Sequence, residues 1–419
     1  MTLFRLVRFN QFWLMLIAPL VAVVLVGVLA SRSMADGFPR LLILHAKGLN
    51  QIKERLQDGD PALVLAFVEL KHDAERALHV KPLSVTEKNF APPTGGKHDY
   101  MSIAPYWWPN PATANGLPFV RRDGEVNPER DQSSDRRRLG TVIHTVETLA
   151  LAYYFTARED YAAHAAQLLR VWFLDSATKM NPHLKYAQAV PGRNTGRGGG
   201  IIETHEFAEL IDFVSLLKNS QAWPAPGYQQ WQDWMKAYLN WLVESAPGKA
   251  EAKAENNHGT WYEVQVAALA LFTARDELAK NLLIEFRDKR IAAQIQADGR
   301  QARELTRTRA WDYAIFNLDA LFDAASIAEK LDIDLWNYQT RDGRSIRKAL
   351  DWLIPFATGE SKWGYSQITP FQPEKLGPLL RRAYVAYGDP AYEKALGKLT
   401  TVKGNERWQL LYGRMPELK

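Results

Sequence analysis

The sequence predicts an all-α fold, an (α/α) toroid in the form of an incomplete six- or seven-hairpin barrel. Three observations lead there. Apolar residues recur at spacings of three and four over ten segments, as helices with one buried face require. Turn dipeptides punctuate those segments: Pro-Gly at 226–227 and 247–248, Asp-Gly at 298–299 and 342–343. No run of short alternating strands appears.

Residues 62–80 form the first amphipathic segment. The same spacing continues through 139–156, 161–173 and 203–218, then 228–245 between the two Pro-Gly stops. It resumes at 259–273, with Trp261, Val264, Ala268 and Leu271 on one face, and at 276–294, ended by Asp298-Gly299. Segments 310–331, 344–355 (after Asp342-Gly343) and 375–387 complete the set. The helices come in pairs without an exact sequence repeat, which disfavours a solenoid. Paired helices sharing one core close into a toroid. Two connections, roughly 81–135 and 176–202, are long and rich in Gly, Pro and aromatic residues. Loops of that length in a compact domain often build a binding site.

Composition sets the class. The chain has 419 residues, 47% hydrophobic and 24% charged, which is ordinary for a globular protein. Cysteine is absent, so disulfides, thiolate zinc sites and cysteine nucleophiles are excluded. The 14 tryptophans suit either a helical core or platforms for sugar rings. The net charge of +5 suits an anionic polymer, but no nucleic-acid-type basic run is present. Arg136-Arg137-Arg138, the longest, reads as a solvated helix start. Near the N-terminus, Arg5 and Arg8 precede an apolar run over 12–30, and Ser33-Met34-Ala35 resembles a cleavage site. Residues 1–35 therefore read as a signal peptide or an uncleaved anchor, and 36–419 as one catalytic domain. Either way the domain faces a non-cytoplasmic space: periplasmic, secreted, or tethered to the inner membrane. Membrane contact is expected only through that segment.

Four segments have candidate chemistry. Asn256-Asn257-His258 stands before the helix at 259–273. Either the asparagines cap the helix and His258 fills its first turn, or these donors stabilise an anion at the helix N-terminus. His258, Tyr262 and Gln265 lie at i, i+4 and i+7, a shared polar face that lines a cleft in the second reading. Arg307, Arg309 and Tyr313 form the second segment. A spacing of six puts Arg307 and Tyr313 on different helical faces, so Arg307 is expected before the helix and Tyr313 within it. The alternative makes the arginines surface charges and Tyr313 core. Third, the loop from His98 through Tyr106-Trp107-Trp108-Pro109 to Arg121-Arg122-Asp123-Gly124 is either a stacking platform with arginines nearby or a loop packed by its own rings. Fourth, Tyr186-Ala187-Gln188 leads to a Gly-rich stretch bearing Arg193 and Arg197, which suits a uronate carboxylate or a plain flexible loop. No Walker lysine follows, so nucleotide binding is rejected. No His-Glu-x-x-His or serine elbow occurs, so neither a metal site nor a serine hydrolase is indicated.

Taken together, Tyr106-Trp107-Trp108-Pro109, Tyr186-Ala187-Gln188, Gly196-Arg197-Gly198, Asn256-Asn257-His258, Glu304-Leu305-x-Arg307-Thr308 and Trp363-x-Tyr365 resemble the alginate lyase superfamily of polysaccharide lyases. The six-residue step from Arg307 to Tyr313 is more similar to polysaccharide lyase family thirty-eight, whose members cleave glucuronan or mannuronate-rich alginate, than to family five, with a step of seven. The resemblance implies β-elimination on an anionic polysaccharide, with Asn257, His258 and Arg307 neutralising the carboxylate and Tyr313 as base and then acid. A nearby arginine is expected to lower the Tyr313 pKa for that purpose. For the opposite C5 configuration, His258 is the alternative base. Tyr106, Trp107, Trp108, Gln188, Arg193, Arg197, Tyr262 and Arg309 are the expected substrate contacts. No cofactor is required, and a structural Ca²⁺ is left open. Two rivals remain. A glycoside hydrolase would need paired carboxylates, for which Glu203, Glu206 and Glu304 are the candidates; the other rival is a non-catalytic polysaccharide-binding protein.

Overall fold

The structure is a computed structural model that describes residues 41–399 and 406–413; the N-terminal apolar segment lies outside them. In chain order the α-helices are α1 (Ala46–Gln57), α2 (Pro61–Ala77), α3 (Arg136–Thr156), α4 (Glu159–Leu169), α5 (Phe207–Leu216), α6 (Ala225–Glu244), α7 (Ala246–Ala252) and α8 (Asn257–Phe272). There follow α9 (Asp276–Phe286), α10 (Ala302–Leu305), α11 (Ala310–Glu329), α12 (Ile346–Ala357), α13 (Gly377–Tyr387), α14 (Pro390–Gly397) and α15 (Trp408–Leu411).

Helices α3, α5, α8 and α11 pack against one another in succession as the inner row. Behind them, α4 backs α3, α6 and α9 back α8, and α12 backs α11. This is an all-α (α/α) toroid. Helices α5 and α8 are buried on nearly every side, as helices sandwiched between neighbours must be. Every residue of α8 except His258 is buried.

The ten expected segments each contain a helix, with local differences. The two Pro-Gly pairs open helices instead of stopping them: Pro226 lies in the first turn of α6 and Pro247 in that of α7. Proline lacks an N–H, and the first turn has no acceptor for one, so the position suits it. Ser245 caps α7 by accepting from the Gly248 amide. The expected segments 161–173 and 276–294 are longer than α4 and α9 because each helix passes into a π turn, Arg170–Leu174 and Arg287–Ala292. Helices α1, α7, α10, α14 and α15 are additional.

Two short strand pairs occupy the long connections. Strand β1 (Met101–Ile103) pairs in parallel with β4 (Tyr186–Ala189), and β2 (Trp107–Trp108) pairs antiparallel with β3 (Val120–Arg121). The β1–β4 pair joins the two long connections. Glycines 198–200 are not a flexible loop but part of a 3₁₀ turn, Gly198–Thr204.

The first described segment is held by one buried side chain. Asp212 on α5 accepts the backbone N–H groups of Leu42, Ile43 and Leu44 at 2.6, 2.8 and 2.8 Å. Burial raises its pKa to about 6, against the pull of the three amides. Asp212→Ala leaves three buried donors without an acceptor. It is expected to cost about 3 kcal/mol or more, read as a lower denaturation midpoint; an unchanged midpoint would mean that the segment contributes nothing to stability.

Candidate active site

The two long connections and the N-terminal ends of α8 and α11 enclose a cavity of about 800 Å³. Asn257, His258, Arg307, Tyr313, Tyr106, Trp107, Gln188, Arg197 and Arg309 all line it. On α11 the residues short of full burial are Asp312, Tyr313, Phe316 and Asp319, with Glu329 at the far end. The first four fall on one helical stripe, and all of them line the cavity. Arg307 precedes α11 and Tyr313 sits in its first turn, which is the arrangement expected from the six-residue spacing.

Two buried carboxylates set the α8 side. Glu304, 1% exposed, accepts the Asn257 backbone N–H and its Nδ2, each at 2.7 Å. It therefore caps the helix, while the side chain of Asn256, in the N-cap position, makes no capping bond. Burial raises the Glu304 pKa; the Asn257 bonds oppose this. His258 Nδ1 lies 2.5 Å from Oε1 of buried Glu251. A carboxylate acceptor at that distance places an N–H on Nδ1, so in the neutral ring the lone pair sits on Nε2. Gly259 is required here: a Cβ would lie 2.0 Å from the Ala254 carbonyl oxygen and 2.3 Å from Arg290 Nη1.

On the α11 side, Asp123 grips Arg307. Arg307 Nη2 donates to Asp123 Oδ1 at 2.8 Å, and Nε lies within 3.1 and 3.2 Å of the two carboxylate oxygens. The Thr308 amide and hydroxyl also donate to Asp123. Burial would raise the Asp123 pKa, but the Arg307 bonds, the Thr308 amide and the guanidinium charge outweigh it and hold the carboxyl at about 2. Gly124 allows this closeness: its φ is +75°, and a Cβ would lie 2.3 Å from Thr308 Oγ1.

The expected lowering of the Tyr313 pKa does not occur in this structure. Burial raises it, the neighbouring Tyr106 adds to the rise, and Arg307 opposes only in part. Two features explain the result. Arg307 is already partnered by Asp123, and its guanidinium lies 3.8 Å over the centre of the Tyr313 ring. The Tyr313 hydroxyl donates to that of Tyr106 at 2.6 Å. The phenol is therefore held protonated.

Gln188 adopts a left-handed backbone, φ +48°, fixed by its N–H donating to Ser102 Oγ at 2.7 Å. Its side-chain oxygen accepts from Arg197 Nη2 at 2.5 Å. Arg197 makes no ion pair among the described residues, and its buried Nε has no partner. Backbone strain of this kind clusters at functional sites.

Three expected contacts do not line the cavity. Successive residues of a strand face opposite ways, so Trp107 faces in while Trp108 turns out beneath Arg122. Arg193 braces the loop from behind, 5.2 Å over the Trp107 ring and bonded to the Phe119 carbonyl. Tyr262 is 6% exposed and donates to the Leu242 carbonyl, and Gln265 is fully buried against Thr204. Of the polar face inferred from i, i+4 and i+7 only His258 therefore reaches the cleft, because the rest of α8 is enclosed.

Other residues of the site were not anticipated. Arg136 is exposed, as a helix start implies, yet it lines the cavity beside Arg130, His205, Asp319 and Lys375. Asp123 was visible only as part of a turn. Glu251 had no signal, and Glu304 was visible within Glu304-Leu305-x-Arg307 and as a hydrolase candidate, not as a helix cap. The hydrolase candidates are committed elsewhere: Glu203 accepts from Tyr100 and Ser102, Glu304 from Asn257, and Glu206 lies 3.6 Å from His144. Among the described residues no cluster of three or more His, Asp or Glu side chains is arranged to hold a metal ion, and no helix is long and apolar enough to cross a membrane.

Comparison with known proteins agrees with this geometry. The family model described as Alginate lyase matches residues 84–363. The crystal structure of an alginate lyase from Bacteroides ovatus is similar at TM-score 0.86 and 41% identity, over 90% of this chain and 99% of that one. A histidine-to-alanine variant of alginate lyase A1-III complexed with tetrasaccharide matches at TM-score 0.55 and 16% identity, over 84% and 96%. A tyrosine-to-phenylalanine variant of the same lyase, also complexed with tetrasaccharide, matches at 0.55 and 15%, over 88% and 95%. These two share the fold. No curated protein sequence matches the chain. Fold, cavity and comparisons together define a polysaccharide lyase built on a helical toroid. The chain belongs to the alginate lyase family.

Proposed function

We propose that this lyase is exported and cleaves a β-1,4-linked polyuronate, glucuronan or mannuronate-rich alginate, by β-elimination. The observation that supports this most is the meeting of Asn257, His258, Arg307 and Tyr313 at one cavity. The C5 proton of a uronate lies α to its carboxylate, and its removal places charge on that group. Donors already in position stabilise this charge without reorganising. In the proposed reaction the C5–H bond breaks to the base, the C4–O4 bond breaks, a C4–C5 double bond forms, and O4 takes a proton. One product carries a 4,5-unsaturated uronate at its new non-reducing end. Arg197, which has no ion pair among the described residues, and Arg309 are the proposed partners of substrate carboxylates, with Trp107 stacking on a sugar ring. Export is supported by Arg5, Arg8 and the apolar run over 12–30.

Glucuronate and mannuronate place H5 and O4 on one face, so Tyr313 serves both atoms. It must first lose its phenolic proton, and its pKa is raised. Below that pKa the phenolate fraction grows about tenfold per pH unit, so kcat/KM should climb steadily into the alkaline range. A flat profile from about pH 7 to 9 would assign the proton to another base.

The Glu251–His258 contact favours a second reading. It leaves Nε2 as a base on the other face, which fits a uronate of opposite C5 configuration. The deciding experiment records ultraviolet absorbance with glucuronan, polymannuronate, polyguluronate and hyaluronan side by side. A rise on glucuronan or polymannuronate supports the first reading, and a rise on polyguluronate alone supports the second. New reducing ends without absorbance would reject elimination.

A further inference from the structure

We infer that the groove lined by Lys253, Glu255, Asn256, Ala302, Arg303 and Thr306 is an additional subsite for the polymer, binding a uronate carboxylate outside the catalytic cavity. The inference deepens the proposed substrate class and rests on it.

Asn256 lines both the groove and the catalytic cavity, so the two adjoin at the N-terminus of α8. The groove offers about 680 Å³, close to the room in the catalytic cavity itself. Its charges are placed to take an anion. Lys253, exposed at the C-terminal end of α7, makes no ion pair among the described residues. Arg303 meets Glu255 at 2.5 Å, but both side chains are exposed, by 52% and 72%. An exposed pair of this kind is worth little, so a uronate carboxylate can take the place of Glu255 on Arg303 at small cost.

Neither Lys253 nor Arg303 faces the reacting atoms, and this makes the subsite separable from the chemistry. The full chain is assayed on its polymer and on a trisaccharide of the same uronate, comparing wild type with Lys253→Glu and with Lys253→Ala/Arg303→Ala. The polymer KM is expected to rise about fivefold, an effect the size of one exposed charge pair. The polymer kcat and both trisaccharide constants should stay at wild-type values, and the KM difference should shrink in high salt. An unchanged polymer KM, or an equal change on the trisaccharide, overturns the subsite. Lys253 is exposed, so Lys253→Glu keeps the test valid if the double variant folds poorly. A wild-type protein inactive on every polyuronate rejects the substrate class and the subsite with it. An active wild type with indifferent variants rejects the subsite alone.

Discussion

Tyr313→Phe is expected to lower kcat on the polymer by about 10²–10⁴ while leaving polymer binding near wild type. The substitution deletes one hydroxyl and keeps the ring on which the Arg307 guanidinium lies. The packing around α11 and the Asp123–Arg307 contact therefore persist. What disappears is the oxygen 2.6 Å from Tyr106, the group proposed to take the C5 proton and then protonate O4 in the first reading. Binding is measured by retention of the variant on an affinity gel of the polymer, and turnover by ultraviolet absorbance. Loss of binding along with turnover would give Tyr313 a structural role; retained turnover would remove it from the mechanism. His258→Ala separates the two stereochemical routes: the product should vanish on polyguluronate if His258 is the base there, and fall less on glucuronan.

Glu304→Leu is expected to destabilise the fold by about 3 kcal/mol and to abolish turnover together. The two losses share one cause. The carboxylate accepts the first amide of α8 and the Asn257 side chain, so leucine leaves two buried donors without acceptors. The freed Asn257 amide then no longer faces the cavity in one orientation. Glu304→Gln keeps one acceptor oxygen but sets an NH₂ group against a second donor, so its stability should fall between wild type and Glu304→Leu. Denaturation midpoints and single-substrate kinetics on the same preparations test this. A Glu304→Leu protein with wild-type stability would show that the carboxylate is not needed for the helix start.

The helices were legible where one face is apolar and the other wet, as in α2, α4 and α9. That rule failed on α8. Tyr262 and Gln265 were assigned to an open polar face, but a helix in the inner row has neighbours all round, and its polar side chains are satisfied by buried partners. Spacing correctly put Arg307 before α11 and Tyr313 within it, because that depends on helical geometry alone. The electrostatics of the pair were not legible. They depend on Asp123, which is 184 residues from Arg307 in sequence and reaches it only through the fold. Glu251 was hidden for a related reason: a glutamate in a short helix looks like any solvated charge until the fold buries it against His258. Trp108 was misplaced by the orientation of a two-residue strand, too short to have a readable pattern, and Arg193 because its partners Trp107 and Phe119 lie far from it in sequence.

The near-complete burial of α8 also bears on motion. An amide in a fully packed helix exchanges its hydrogen with solvent only when the surrounding structure opens, whereas loops open locally and often. Backbone amides along α8 should therefore be among the slowest to exchange in the protein, while those of the 105–126 loop, which carries Tyr106 and Trp107, should exchange rapidly. The imidazole is thus mounted on a deeply packed helix, facing aromatic groups carried by a loop. Adaptation to a different polymer would then come most readily from changes in the loop, with the α8 backbone left unaltered.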